Sequence, residues 1–270
     1  MAFGFGRKDA GGSAPPPAAA RLDGREWVDR HLARNDRPGS MEFAQALGLK
    51  LFDSAYNAMK DERGVRIEAI VAMLASVGGF FCILPVMRAL RAEGLAPPDI
   101  GMVTVKGHDG RLYQFGDAPN RLLCEHPMSL ISLVFGAAHQ HGAAVSVDLM
   151  NSEMQHVVNV VGTPDYMTLD LPSHLQVDTP DVWLRHSLPF VLDSISAAFV
   201  ADLERQGMTI PADLPASSKL PPDFLLARIV AFAIQQSIDV GHQSLDPTML
   251  ANVAMQCAMR TAKIDPSWLD

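Results

Sequence analysis

The sequence predicts a mainly α fold, in which several helices surround one apolar core and one small β-hairpin occupies about residues 102–115. Three observations predict this fold. Residues 69–87 form a stretch of nineteen residues without a charged side chain. Apolar residues recur at helical spacing in most of the other segments. Only one pair of segments has the β-branched and aromatic composition of strands on both sides of a Gly- and Asp-containing turn.

The first 38 residues differ in composition from the rest of the chain. Residues 1–20 are rich in Gly, Ala and Pro, and such a segment buries too little apolar surface to offset the entropy lost on ordering. We therefore expect residues 1–38 to be a disordered or weakly structured tail, with at most one short polar helix around Trp27 and Leu32. Residues 39–270 are expected to form a single mostly helical domain. Any sub-boundary within that domain is expected in the loop 162–180.

Helix start and stop signals divide this domain into its elements. Ser40 is a suitable N-cap for the first helix. A second helical region covers residues 65–92, and Gly94 is a suitable C-terminal cap for it. Within this region we expect a break near Gly78 and Gly79, which leaves two packed segments. The reason is that each interior glycine costs about 1 kcal/mol of helix stability.

The hairpin is the one convincing strand signal. Residues 102–105 and 112–115 are rich in Val, Thr, Tyr and Phe, and they flank a turn that contains Gly107 and Gly110. His108 and Asp109 lie in this turn, where we interpret them as turn residues.

Four more helices are predicted after the hairpin, at about residues 129–140, 182–206, 223–238 and 247–263. Two segments between them are ambiguous. Residues 145–149 alternate apolar and polar side chains and are consistent with a short strand. Residues 153–161 contain both helix-favouring and strand-favouring side chains, so the pattern alone does not decide between the two.

The uncharged stretch at residues 69–87 has two interpretations. Its length is close to the roughly 20 residues that a helix needs to cross a bilayer. However, Gly78, Gly79 and Pro85 interrupt it, and membrane helices usually tolerate such breaks where neighbouring spans support them. The sequence has no second run of apolar or small residues of comparable length. We therefore prefer a buried core helix, and membrane association through residues 69–87 is the alternative.

The composition limits the kinds of partner that the protein can bind and indicates the compartment in which it is found. The formal net charge is −8, which argues against general nucleic-acid binding because that requires Lys and Arg to neutralise phosphates. The three cysteines form no Cys-x-x-Cys pair, and two lie in apolar surroundings, as expected for free thiols in a reducing compartment. The N-terminus lacks the pattern of a secretory signal. We therefore expect a cytoplasmic protein.

The best candidate for a chemical site is a group of four residues: His139, His141, Glu153 and His156. Glu153 and His156 form a Glu-x-x-His pair, and on a helix this spacing places both side chains on one face. Carboxylate-bridged metal bundles use that pair twice, whereas the second copy is missing here. The ordinary interpretation is a polar helix end for the two histidines near residue 140 and a solvated face for the other two residues.

No motif in the sequence predicts a catalytic activity or a cofactor. There is no phosphate-binding glycine loop and no Gly-x-Ser-x-Gly elbow. Our leading hypothesis is therefore a non-enzymatic cytoplasmic protein that binds another protein. Met255 and Met259 lie on one face of the last helix, where core packing is the default and an adaptable partner surface the alternative. A metal- or small-ligand-binding enzyme that uses the four candidate residues is the competing hypothesis.

Overall fold

The computed structural model describes residues 21–173, 175, 177–211 and 215–269. The prediction of a mainly α fold with one small hairpin is confirmed, since 69% of the chain is helical. The helices are α1 Gly24–Asn35, α2 Ser40–Ala58, α3 Ile67–Glu93, α4 Asp117–Asn120, α5 Leu130–Gln140, α6 Val147–Val160, α7 Pro180–Arg205, α8 Leu226–Gly241 and α9 Pro247–Thr261. The hairpin consists of β1 Val103–Lys106 and β2 Leu112–Phe115.

The central element is α3, which packs against α7, α8 and α9. It contains the whole uncharged stretch, and twenty of its 27 residues are buried. The expected break at Gly78 and Gly79 is wrong, because the helix is continuous from Ile67 to Glu93. Gly94 ends it in the left-handed conformation, with φ 68°, as predicted.

The two glycines of α3 allow its neighbours to approach closely. A Cβ atom on Gly79 would lie 2.2 Å from the carbonyl oxygen of Ala258 on α9. A Cβ atom on Gly78 would lie 2.6 Å from Leu130 Cδ1 and 2.9 Å from Val230 Cγ1. The packing of three helices against this point compensates for the low helix propensity of glycine, so tertiary contacts override the local preference.

Both α3 and the segment Asp223–Gly241 are long and apolar enough to cross a membrane, but this is weak evidence, since core helices pass the same test. Protein buries 94% of the most apolar window of α3 and 72% of that in Asp223–Gly241.

The helix α1 packs onto the core, although the sequence analysis placed it in the tail. Trp27, Val28 and Leu32 are buried and belong to the main hydrophobic cluster. The indole Nε1 of Trp27 donates a hydrogen bond to the carboxylate of Glu93 at the end of α3, over 2.9 Å. The short helix was expected, whereas its contact with the distant end of α3 was not. Residues 1–20 lie outside the described residues.

The ambiguous segments around residues 145–161 form one helix, α6. The expected strand at residues 145–149 is therefore wrong. Ser146 caps the helix, with its hydroxyl oxygen accepting from the Leu149 N–H over 3.2 Å. Leu149, Met150, Met154 and Val157 recur at helical spacing and pack against the core. This apolar stripe and the cap favour helix over the local alternation.

The loop 162–180 is anchored to α9. The hydroxyl of Tyr166 donates to the carbonyl oxygen of Arg260 over 2.6 Å, and the Gln256 side chain exchanges hydrogen bonds with the backbone of Asp170. The described residues on both sides of this loop belong to one hydrophobic cluster.

Candidate functional site

The structure separates the four residues proposed from the sequence. His139 is exposed at the end of α5, and His156 is exposed on α6. No group of three or more His, Cys, Asp or Glu side chains that could hold a metal ion occurs among the described residues. The four residues therefore do not form a common site.

His141 joins the ends of two helices. Its Nε2 lies 2.8 Å from Oδ1 of Asp239 on α8. Its ring stacks on that of His242, with 3.8 Å between the ring centroids. This arrangement ties the C-terminal end of α5 to the C-terminal end of α8, and so His141 has a structural partner.

Glu153 is the counterion of a buried arginine. Its carboxylate forms an ion pair with Arg260 on α9, whose side chain has no solvent-exposed area. The guanidinium also donates to the carbonyl oxygens of Tyr166, Thr168 and Gln256 over 2.8 to 3.0 Å. A buried guanidinium requires such a partner, because an unpaired charge in the interior is strongly destabilising. Arg260 lies in an apolar helix, and this was the sequence signal for a buried ion pair.

The sequence Cys124-Glu125-His126 does not form a thiol–imidazole pair. The Cys124 thiol contacts the carbonyl oxygen of Asn120, with 3.6 Å between the sulfur and the oxygen. Nδ1 of His126 accepts from the Met128 N–H over 3.0 Å. Burial raises the pKa of Cys124 to about 11, so the thiol is protonated near neutral pH.

The two methionines of the last helix are also structural. Met255 and Met259 are both buried in the core. The interpretation that they pack in the core is therefore correct, and they offer no surface to a partner.

A different surface has the geometry of a binding site: the outer edge of β1. In an antiparallel ladder, hydrogen-bonded pairs alternate with pairs whose backbone groups point outward. The Gly107 N–H donates to the carbonyl oxygen of Arg111 over 2.8 Å, so that pair is hydrogen-bonded. By alternation, the backbone groups of Thr104 and Lys106 point away from β2.

The two edges of the hairpin differ in what covers them. On the β2 side, the Gln114 N–H donates to the Lys263 carbonyl oxygen over 2.7 Å, and the Asp265 N–H donates to the Leu112 carbonyl oxygen over 3.1 Å. The C-terminal segment thus covers this edge and satisfies the Gln114 N–H and the Leu112 carbonyl oxygen. On the β1 side, the outward backbone groups have no backbone partner among the described residues.

Two apolar side chains are exposed on one face of β1. Val103 and Val105 are 56% and 36% exposed. Leu112 is 40% exposed, but it lies on β2 opposite Lys106 and faces the other side of the hairpin. A groove of about 880 Å³ runs along the start of β1. Its lining comes from the segment before α1, the segment between α3 and the hairpin, and the first residues of β1: Arg21, Leu22, Leu95, Pro98, Asp99, Met102, Val103 and Thr104.

Charges of both signs lie at this edge. Arg21 lines the groove and Lys106 lies at the end of β1; both are exposed and form no ion pair with another described residue. Asp99 also lines the groove, and its carboxylate accepts from the Ala96 N–H over 2.7 Å, a neutral donor that leaves the charge of the carboxylate in place. The open edge therefore combines outward backbone groups, exposed apolar side chains and two cations without an ion-pair partner among the described residues. The sequence predicted the hairpin, but only the fold shows which of its two edges is left open.

No family model matches the chain, and no curated protein or solved structure matches it either.

Proposed function

We propose that the chain is a non-enzymatic cytoplasmic protein-interaction domain, which binds an extended segment of a partner protein along β1. The observation that carries this proposal is the open outer edge of β1 beside an apolar groove. Strand addition to an exposed sheet edge is a common mode of peptide recognition, in which main-chain hydrogen bonds provide affinity and side-chain pockets provide specificity.

The backbone supplies the register of the bound segment. The outward N–H and C=O groups of Thr104 and Lys106 are two residues apart, which is the spacing at which an added strand forms its hydrogen bonds. Because side chains alternate along a strand, every second residue of the added segment faces the same side as Val103 and Val105. The partner segment is therefore expected to alternate apolar side chains over about four to six residues.

The charges define the ends of the partner segment. Arg21 lies at the groove and Lys106 at the far end of β1, and neither has an acidic partner among the described residues. An extended apolar segment with Asp or Glu near its ends complements this surface. Opposite charges at the rim mainly increase the association rate and the specificity of binding. The proposed partner is thus an extended, β-prone segment whose acidic residues lie near Arg21 and Lys106.

The cysteines support the cytoplasmic part of this proposal. Cys82, Cys124 and Cys257 are all free, and two of them are buried. Free thiols are the normal state in a reducing cytoplasm.

The proposal is tested with selected peptides. Random twelve-residue peptides are displayed and selected on the full-length protein, and enriched peptides are then measured by fluorescence anisotropy against two variants. Thr104→Pro removes one outward N–H, which an edge strand tolerates structurally, whereas Thr104→Val removes the hydroxyl but keeps that N–H. We expect enriched peptides to alternate apolar residues between acidic ends. We also expect Thr104→Pro to weaken them at least tenfold more than Thr104→Val.

Three outcomes contradict this proposal. The first is the absence of enriched peptides. The second is equal binding by the two variants, since the backbone edge would then be irrelevant. The third is a wild-type dimer in sedimentation that Thr104→Pro dissociates and Thr104→Val preserves, because the edge would then be occupied by a second copy of the chain.

A further inference from the structure

A second cavity lies between α3 and α7, beneath the C-terminal turn Pro266–Leu269. Its volume is about 290 Å³. The apolar part of its lining comes from both helices and from the turn: Phe80, Leu84, Met87, Leu188, Leu192 and Leu269. Arg88, Arg91, Pro266 and Ser267 complete the lining, so polar and apolar groups contribute almost equally to its surface. Phe80 and Leu84 are buried, whereas Leu188, Leu192 and Leu269 are half-buried, so the cavity is deepest beside Phe80 and Leu84.

The rim of this cavity is basic. Arg88 and Arg91 lie on the last turns of α3 and line the opening. Arg88 is paired with Asp223, with 3.1 Å between Nη1 and Oδ1. Arg91 is exposed and forms no ion pair with another described residue. The cavity therefore combines an apolar part with an available guanidinium at its opening.

We propose that this cavity binds an amphipathic carboxylate, with its alkyl chain between α3 and α7 and its carboxylate at Arg91. Guanidinium groups bind carboxylates through two parallel hydrogen bonds. At about 30 Å³ for a water molecule in the liquid, the cavity holds on the order of ten non-hydrogen atoms. The ligand class is therefore a medium-chain fatty acid of about eight to ten carbons. This inference is independent of the proposal for the β1 edge.

The C-terminal turn forms the cover of the cavity, and two contacts hold this turn in place. The carboxylate of Asp265 accepts from the N–H and the hydroxyl of Ser267, over 2.9 and 2.6 Å. The ring of Trp268 lies between two guanidinium groups, 4.6 Å from Arg111 and 4.9 Å from Arg185. Leu269 is thus positioned by its neighbours rather than by the cavity itself, so the cavity is preformed.

The experiment is a calorimetric titration of the full-length protein with sodium decanoate. Decanol and decyltrimethylammonium serve as the matched neutral and cationic probes, each below its micelle concentration. We expect one decanoate per chain, at least fivefold weaker binding of decanol and no binding of the cation. Across hexanoate, octanoate and decanoate, the affinity should rise about threefold to fourfold for each methylene, and it should level off beyond about ten carbons.

Variants locate the site. Arg91→Ala should weaken decanoate threefold to tenfold, while the exposed control Arg37→Ala should leave the affinity unchanged. Leu192→Trp should fill the cavity and reduce the affinity at least tenfold. Leu188→Phe serves the same purpose if the tryptophan variant has a lowered melting temperature.

The proposal is overturned if the three ten-carbon probes bind equally, if Arg91→Ala binds like Arg37→Ala, or if the cavity-filling variants bind like the wild type with unchanged melting temperatures. Affinity that keeps rising to tetradecanoate would also overturn it, because such a chain exceeds the cavity.

Discussion

The side-chain amide of Gln114 donates a hydrogen bond to the carboxylate of Asp265, with 2.6 Å between Nε2 and Oδ2. Both side chains are buried. The other oxygen of the carboxylate accepts from the N–H and hydroxyl of Ser267. One carboxylate thus connects β2 to the C-terminal turn, and through them it connects the open strand edge to the cover of the α3–α7 cavity.

This connection predicts the effect of removing the carboxylate. Asp265→Ala should lower the free energy of unfolding by about 2–3 kcal/mol, because the buried amide of Gln114 is left without its acceptor. Ser267→Ala is the matched control, since it deletes a donor on the exposed side of the same carboxylate, and it should cost about 1 kcal/mol or less. Urea unfolding followed by circular dichroism measures both. Equal costs would show that the Gln114–Asp265 hydrogen bond contributes little.

The close contact between α3 and α9 leaves no room for a side chain at residue 79. Gly79→Ala should destabilise the protein by about 3 kcal/mol, because the added methyl group meets a backbone carbonyl of α9 that cannot rotate away. Gly136 on α5 is a suitable control, since a Cβ atom added there would meet no other atom within 4 Å. Gly136→Ala should stabilise the protein by up to about 1 kcal/mol through helix propensity alone. Thermal or urea unfolding measures the stability of both variants. An increase in stability of Gly79→Ala would contradict the close packing of α3 on α9.

Because Glu153 forms an ion pair with Arg260, we expect Glu153 to stabilise the folded protein. Glu153→Ala should cost about 3–5 kcal/mol, because it leaves a buried guanidinium without its counterion. His156→Ala, three residues along the same helix, should change the free energy of unfolding by less than about 0.5 kcal/mol, since its side chain is exposed. Comparable costs for the two variants would favour a shared role, which the metal-site hypothesis requires.

Lys263 predicts a pH dependence of stability. Its amine is buried and donates to Oδ1 of Asn120 over 2.5 Å, and desolvation lowers its pKa from 10.5 to about 8. Between about pH 8 and 10.5 the unfolded chain therefore binds more protons than the folded chain at this residue. Consequently, the contribution of Lys263 to stability increases as the pH rises through this window.

The comparison with Lys263→Met isolates this contribution. The free energy of unfolding of the wild type, relative to the variant, should rise by about 2–3 kcal/mol between about pH 8 and 10.5. Tyr113, Tyr166 and Cys257 do not interact electrostatically with Lys263, so their titrations cancel in the difference. The Lys263 amine partly offsets the raised pKa values of the Cys82 and Cys124 thiols, and this interaction is part of the contribution that the comparison measures. Urea unfolding across this pH range gives the result, and parallel pH profiles would show that the amine is not desolvated.

Local chemistry in the sequence predicted one helix end correctly and another incorrectly. Gly94 ends α3 as predicted, because a glycine determines the conformation of its own turn. The prediction of Ser40 as the N-cap of α2 is wrong: Gly39 occupies the cap position, and the Ser40 hydroxyl donates to the Asp36 carboxylate instead of accepting from the first turn. The hairpin register was predictable from local sequence, since a short turn fixes the pairing of its strands.

The remaining features depend on residues that are distant in the chain. The continuity of α3 depends on the surface of α9, and the role of Glu153 depends on an arginine 107 residues away. Neither relationship has a signature within one segment. The candidate site failed for a related reason: the Glu-x-x-His spacing was correct for a helix, but the partner of the glutamate came from α9 rather than from the histidine.

The open edge of β1 also has a consequence for the behaviour of the protein at high concentration. An unpaired strand edge can template pairing between identical chains and so initiate ordered aggregation. Natural proteins discourage this with short edge strands and with lysine at the edge, and β1 has both features: four residues in length and Lys106 at its end. These two features disfavour pairing of the edge with a second copy of the chain, and they are compatible with the proposed binding of a foreign strand.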